Sequence, residues 1–210
     1  MNENEKLVEG LLNEGYLKTP ALKDAFTKID RKDFVPEDLK GEAYGNYPLP
    51  IGFGQTISQP LTVAFMLELL QPHPGEKILD IGSGSGWQTC LLAYVVGKSS
   101  KGKVVAVERI PELRKMTETN VSKYGFIESG IVRAILADGS KGFPGEAPFD
   151  KIIAAASGKS LPDAWKEQLK VGGKMIVPIK NSVFVFEKVS EKSFEEKEYP
   201  GFSFVPLIKD

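Results

Sequence analysis

The sequence is nearly without cysteine and histidine, with one of each, Cys90 and His73. A single cysteine closes no internal disulfide, which fits a reducing cytoplasm. A zinc site of His/Cys type needs three or four such ligands, so no metal is expected. A Ser-His-Asp mechanism would have to rest on His73, which sits between two prolines in a loop. A surplus of one charge is missing as well: 27 Lys and Arg stand against 28 Asp and Glu. No broad basic field is therefore available for phosphate backbones, and nucleic acid is not an expected partner. Long hydrophobic runs are also lacking. The longest, Cys90–Val96, falls far short of the roughly 20 residues that a bilayer span needs. The charged start, MNENEKLVEG, has no apolar signal core. What remains is a single ordered domain, expected to be cytoplasmic, monomeric and free of membrane. Its 210 residues, 41% hydrophobic, are enough to bury a core without staples.

Residues 1–72 read as a helical N-terminal part with a long loop, and 73–210 as an α/β core. Leu7, Val8, Leu11 and Leu12 form one apolar stripe. Thr19-Pro20 offers an N-cap and an N1 proline to a second helix lined by Ala21, Leu22, Ala25, Phe26 and Ile29. Phe34 to Pro60 has no period and carries four prolines (36, 48, 50 and 60). Its aromatic and aliphatic content speaks against disorder, so it reads as an ordered binding loop. A helix is expected over 60–70, stopped by Gln71-Pro-His-Pro-Gly75. Strands follow at 77–81, 104–108, 131–137, 151–156 and 174–178, with helices at 87–96, 111–124 and 162–169. Two further strands, 183–189 and 202–207, are joined by a charged segment. The fold class is α/β: a Rossmann-like, doubly wound, mostly parallel sheet closed by a C-terminal antiparallel hairpin.

Asp80-Ile-Gly82-Ser83-Gly84-Ser-Gly86 lies where the first core strand hands over to its helix. Glycines let backbone approach a ligand, and the helix start offers free N–H groups. A dinucleotide fingerprint, G-x-G-x-x-G, would put its third glycine at Trp87 or Thr89, and neither fits. Glu108, ending the second strand, can accept both hydrogen bonds of a ribose diol and would repel a 2′-phosphate. Asp138-Gly139, beyond the third, offers a carboxylate for an adenine amino group. Each alone also reads as a turn glycine or a strand-end acid, and Asp80 equally as a structural acid. Together, at successive strand ends, they point to a nucleoside. The Asp-x-Gly-x-Gly-x-Gly spacing resembles motif I of Rossmann-like methyltransferases, which implies S-adenosyl-L-methionine as cofactor.

The segment Pro48-Leu-Pro-Ile-Gly52-Phe-Gly-Gln55-Thr56-Ile57-Ser58-Gln-Pro60 resembles the signature of the protein-L-isoaspartate O-methyltransferases. Ile78–Gly86, Asp138-Gly139, Phe149-Asp150, Leu169–Gly173 and Phe204–Leu207 match in family order. The resemblance implies methyl transfer to the α-carboxyl of L-isoaspartyl residues in damaged proteins and peptides, which would be the partners. The ester then collapses to a succinimide. It also implies that Gln55, Thr56 and Ile57 line the cofactor site and that Ser58 is the active-site serine. Ser58 could instead cap the helix opening at Pro60. Two departures stand out: Asn46 replaces a common acid, and Ala155-Ala-Ser-Gly158 replaces a frequent Thr-Ala-Ala-Pro. Rival readings are a different carboxylate acceptor, or a non-catalytic protein that recognises isoaspartyl segments. Trp87, Trp165 and Cys90 read as core, and Lys170, Lys174 and Lys180 as solvated charge.

Overall fold

From residue 77 onward, short β-branched runs alternate with helix-forming segments, and a computed structural model describing residues 1–208 shows what they build. Before that point, helices α1 (Glu3–Asn13) and α2 (Pro20–Lys28) pack against each other. A capping box starts α1: Glu5 N–H donates to the Asn2 side chain, and Asn2 N–H to the Glu5 carboxylate, each at 2.8 Å. Thr19 does not cap α2. Its hydroxyl donates to Glu68 at 2.7 Å instead, tying the start of α2 to the next helix, α3 (Pro60–Leu70).

The stretch 34–60 is more ordered than its prolines suggest. Strands β1 (Leu49–Gly52) and β2 (Gln55–Ile57) pair antiparallel across a turn at Gly52-Phe53-Gly54. All three turn residues have positive φ, 90°, 55° and 69°. Glycine adopts that conformation freely, and only Phe53 is strained by it. Pro50 hid the strand in the sequence, but on a two-stranded ribbon its missing N–H is tolerated.

The main sheet contains β3 (Lys77–Ile81), β4 (Lys103–Glu108), β5 (Val132–Leu136), β6 (Phe149–Ala154), β7 (Leu169–Ile179), β8 (Ser182–Lys188) and β9 (Phe194–Pro200). Their order is β5-β4-β3-β6-β7-β8-β9, parallel through β7 and antiparallel beyond. Helices α4 (Trp87–Val96), α5 (Pro111–Ser122) and α6 (Asp163–Gln168) complete the fold. The doubly wound sheet with an antiparallel end is therefore present, with one strand moved. Residues 202–207 form no strand; β9 lies in the charged segment read as a connector. As the sheet edge it is solvated, so Glu195, Glu196, Lys197 and Glu198 are all exposed and no apolar alternation marks it. The 202–207 segment instead crosses the top of the sheet, where Ser157 N–H donates to Val205 C=O and Leu207 N–H to Ser157 C=O, each at 2.8 Å.

Helix α4 is apolar nearly all round, and Cys90, Leu91, Leu92, Ala93, Val95 and Val96 are fully buried between α2, α5 and the sheet. Trp87 and Trp165 are core residues, with the Trp87 ring edge-on to Phe26 at 5.6 Å. Lys170 and Lys174 are not simply solvated; they pair with Asp150 at 2.5 Å and Glu187 at 2.9 Å. Among the described residues no helix is long and apolar enough to cross a membrane.

Candidate active site

Strand β3 has β4 on one side and β6 on the other, so the connections leaving the carboxyl ends of β3 and β4 wind away from those leaving β6. In open α/β sheets the crevice at such a switch point takes the ligand. The glycine turn sits there. Gly82 N–H donates to Val107 C=O at 2.8 Å, and Gly82, Gly84 and Gly86 have φ of 79°, 51° and 86°. Gly86 permits close packing on α5: a Cβ there would lie 3.1 Å from Val121 Cγ2 and 3.2 Å from Thr117 Cα.

Helix α5 also holds the turn by side chains that sequence reading missed. Thr117 Oγ1 donates to Gly84 C=O at 2.9 Å and lies 2.9 Å from the Ser83 hydroxyl. Asn120 Nδ2 donates to Ser85 C=O at 2.9 Å. The available signal was a pair of polar residues three apart on the buried side of α5.

Glu108 faces the turn from the end of β4 and is almost fully buried. Its Oε2 accepts Gly84 N–H at 3.0 Å, and its Oε1 accepts Arg109 and Ile110 N–H at 2.8 and 3.0 Å. Oε2 keeps acceptor capacity toward the cleft it lines. Asp80 lies beneath the turn, fully buried, and does not line the cleft. It accepts from Thr89 Oγ1 at 2.6 Å and Gln88 Nε2 at 2.8 Å. Burial pushes its pKa up to about 6, while those two hydrogen bonds pull the other way. Asp138 accepts Ser140 N–H at 2.9 Å and pairs with Lys141 at 3.3 Å, and Gly139 lines the cleft beside it.

The opposite wall is the β1–β2 hairpin, through Ile51, Gln55 and Thr56. Thr56 also belongs to an adjoining cavity of about 290 Å³, with Ser58, Thr62, Ala155 and Ser203. Ile57 and Ser83 line a small space between the two. The structure thus brings Gln55–Ser58 to the glycine turn and sets Ser58 in the second cavity. Ser58 does not cap α3: the N-cap residue is Gln59, and the Leu61 N–H is taken instead by Asn46 Oδ1 at 3.0 Å. Ser157 of the Ala155–Gly158 segment binds the crossing tail, closing the far rim.

Chemically, the first cleft offers a backbone-lined turn and an acid at a strand end, and the second offers hydroxyls with no lysine, arginine or histidine in its walls. Burial pushes the Cys90 thiol pKa far up and leaves it inert.

The family profile described as protein-L-isoaspartate(D-aspartate) O-methyltransferase matches residues 2–210. A protein-L-isoaspartate O-methyltransferase of Methanopyrus kandleri is 42% identical over 208 residues, covering 97% of this chain and 90% of that protein. One of Thermococcus onnurineus is 42% identical over 206 residues, with 96% and 91% covered. In structure, a Plasmodium falciparum protein described under the same activity, in complex with S-adenosyl-L-homocysteine, superposes with TM-score 0.89 over 100% of both chains. At 24% identity it bears on the fold alone. A second structure, of a protein-L-isoaspartate O-methyltransferase, is 28% identical with TM-score 0.86, covering 97% of this chain and 65% of that one. The chain belongs to the protein-L-isoaspartate(D-aspartate) O-methyltransferase family.

Proposed function

We infer that the chain transfers a methyl group from S-adenosyl-L-methionine to the free α-carboxyl of L-isoaspartyl residues in damaged proteins and peptides. The ester then closes to a succinimide that reopens in part to aspartate. The observation that carries this reading is the junction at Thr56, where a glycine-turn cleft meets a hydroxyl-lined cavity holding Ser58.

The residues present fit the cofactor. The spare acceptor capacity of Glu108 at the cleft suits a ribose diol, and Gly82, Ser83, Gly84 and Gly86 give a turn that a ligand can approach closely. Gln55, Thr56 and Ile57 would form the facing wall, and Gly139 and Asp138 the end beyond β5. Asp80 would support the turn from beneath rather than touch the ligand. When bound, S-adenosyl-L-methionine supplies a methyl group already activated by its sulfonium charge.

The chain's own contribution is position and dryness. A carboxylate is ionised at neutral pH, so the nucleophile needs no base, and none is offered by the cavity walls. In this reading Ser58 donates its hydroxyl to one carboxylate oxygen and fixes the direction of the other. Ile51, Ile57, Ala155 and Val205 give the site apolar walls, and a drier site favours a step in which opposite charges meet and fade. The exposed charges of β9 discourage edge pairing, which supports a monomer, and the one buried thiol suits a reducing cytoplasm.

The test offers methyl-labelled S-adenosyl-L-methionine with two peptides that differ only in an aspartyl or isoaspartyl linkage. Label is expected in the isoaspartyl peptide alone. Equal labelling would favour another carboxylate acceptor, and binding without labelling a non-catalytic recognition protein; either overturns the reading.

A further inference from the structure

Among the described residues, the least exposed cation has no anion. Arg31, at 0% exposure, opens the turn after α2, and no carboxylate among the described residues pairs with it. Its guanidinium instead donates to four carbonyls: Ala43 at 2.6 Å, Gly45 at 3.3 Å, Tyr47 at 3.1 Å and Ser58 at 3.2 Å. The Trp87 ring lies 5.4 Å below it, and Nε has no partner. Burial lowers its pKa to about 10, which still leaves it charged at neutral pH. A buried charge left unpaired is costly unless something repays it.

Ser58, one of the four acceptors, also lines the second cavity. There the 290 Å³ cavity carries the hydroxyls of Thr56, Ser58, Thr62 and Ser203, and none of the four has a protein partner among the described residues. Thr56 and Ser203 are exposed and Ser58 and Thr62 half-buried, so the four hydroxyls are open to a ligand. Four unengaged hydroxyls can all donate to an anion, and Ser58, whose carbonyl accepts from Arg31 at 3.2 Å, joins this cavity to that charge.

We propose that Arg31 is a positioning residue for the acceptor. It gathers the 43–47 segment and Ser58 around one guanidinium, and its uncompensated charge draws a carboxylate to the Thr56–Ser58–Thr62–Ser203 hydroxyls. This rests on the acceptor reading above and adds the residue that sets its affinity. No proton moves; the charge acts through the backbone of Ser58.

The experiment compares the parent protein with Arg31→Lys, which keeps the charge, and Arg31→Gln, which removes it. Four quantities are read: KM and kcat for an isoaspartyl peptide, the inhibition constant of its neutral α-carboxamide, and the Kd for S-adenosylhomocysteine. The parent should bind the carboxylate peptide at least about tenfold tighter than the carboxamide. Arg31→Gln should raise KM by about tenfold and erase that preference, with a smaller change in kcat, while Arg31→Lys stays within about threefold of the parent. Both should hold S-adenosylhomocysteine within about threefold of the parent. Equal KM shifts in the two variants, or an unchanged KM in Arg31→Gln, would overturn the proposal. Should Arg31→Gln not fold, the parent and Arg31→Lys decide: a carboxamide bound as well as the carboxylate in either overturns it. A parent that binds S-adenosylhomocysteine but labels no isoaspartyl peptide would instead overturn the acceptor reading itself.

Discussion

Glu108 Oε2 accepts the Gly84 N–H at 3.0 Å, so the acid ending β4 and the turn after β3 are one unit. Its other oxygen takes Arg109 and Ile110 N–H, and Glu108→Ala would strand three backbone donors. The expected cost is about 2 kcal/mol of stability, read by urea unfolding. Calorimetric affinity for S-adenosylhomocysteine should fall more than about tenfold. An unchanged affinity would show that the acid serves the turn alone.

Asp80 ties stability to pH. Its folded pKa, about 6, lies above the ordinary 3.8, so the folded state holds this proton more tightly than the unfolded chain. That contribution is complete below about pH 4 and is lost as pH rises through about 6, a change of roughly 3 kcal/mol. Asp80→Asn should flatten this slope in a series of thermal melts from pH 4 to 7. Parallel curves for parent and variant would contradict the assignment.

Ser58→Ala separates chemistry from capping. Because Ser58 does not cap α3, the melting temperature should stay within about 1 °C, while kcat/KM falls about ten- to a hundredfold for one lost hydrogen bond to a charged group. A drop in stability with turnover intact would reverse the roles.

Asn46 does the capping instead. Asn46→Ala should destabilise by about 1 kcal/mol, and Asn46→Asp should not, since a carboxylate accepts the same Leu61 N–H and suits the positive end of α3. Chemical denaturation of the two variants checks this.

Gly86→Ala would push a methyl within 3.1 Å of Val121 and 3.2 Å of the α5 backbone, at a φ of 86° that alanine resists. A loss of about 1–3 kcal/mol is expected, with weaker cofactor binding as α4 and α5 part.

The parallel half of the fold was legible because buried strands such as Lys77–Ile81 and the all-apolar α4 carry their pattern locally. The hairpin at 49–57 and the edge strand β9 were not, since proline and charge on exposed ribbons erase alternation. Of the site, the glycine turn and Glu108 showed in spacing. Thr117, Asn120 and Arg31 did not, because their partners are backbone atoms far along the chain. Asn46 looked like a departure in the acceptor segment, and the structure gives it a helix to cap.

The most direct measurement is a crystal structure of the protein soaked with S-adenosylhomocysteine. Density is expected between the Gly82–Gly86 turn and the Gln55–Ile57 wall, with ribose oxygens on Glu108 and the sulfur turned toward the Ser58 cavity. Density elsewhere, or a sulfur facing away from Ser58, would contradict it.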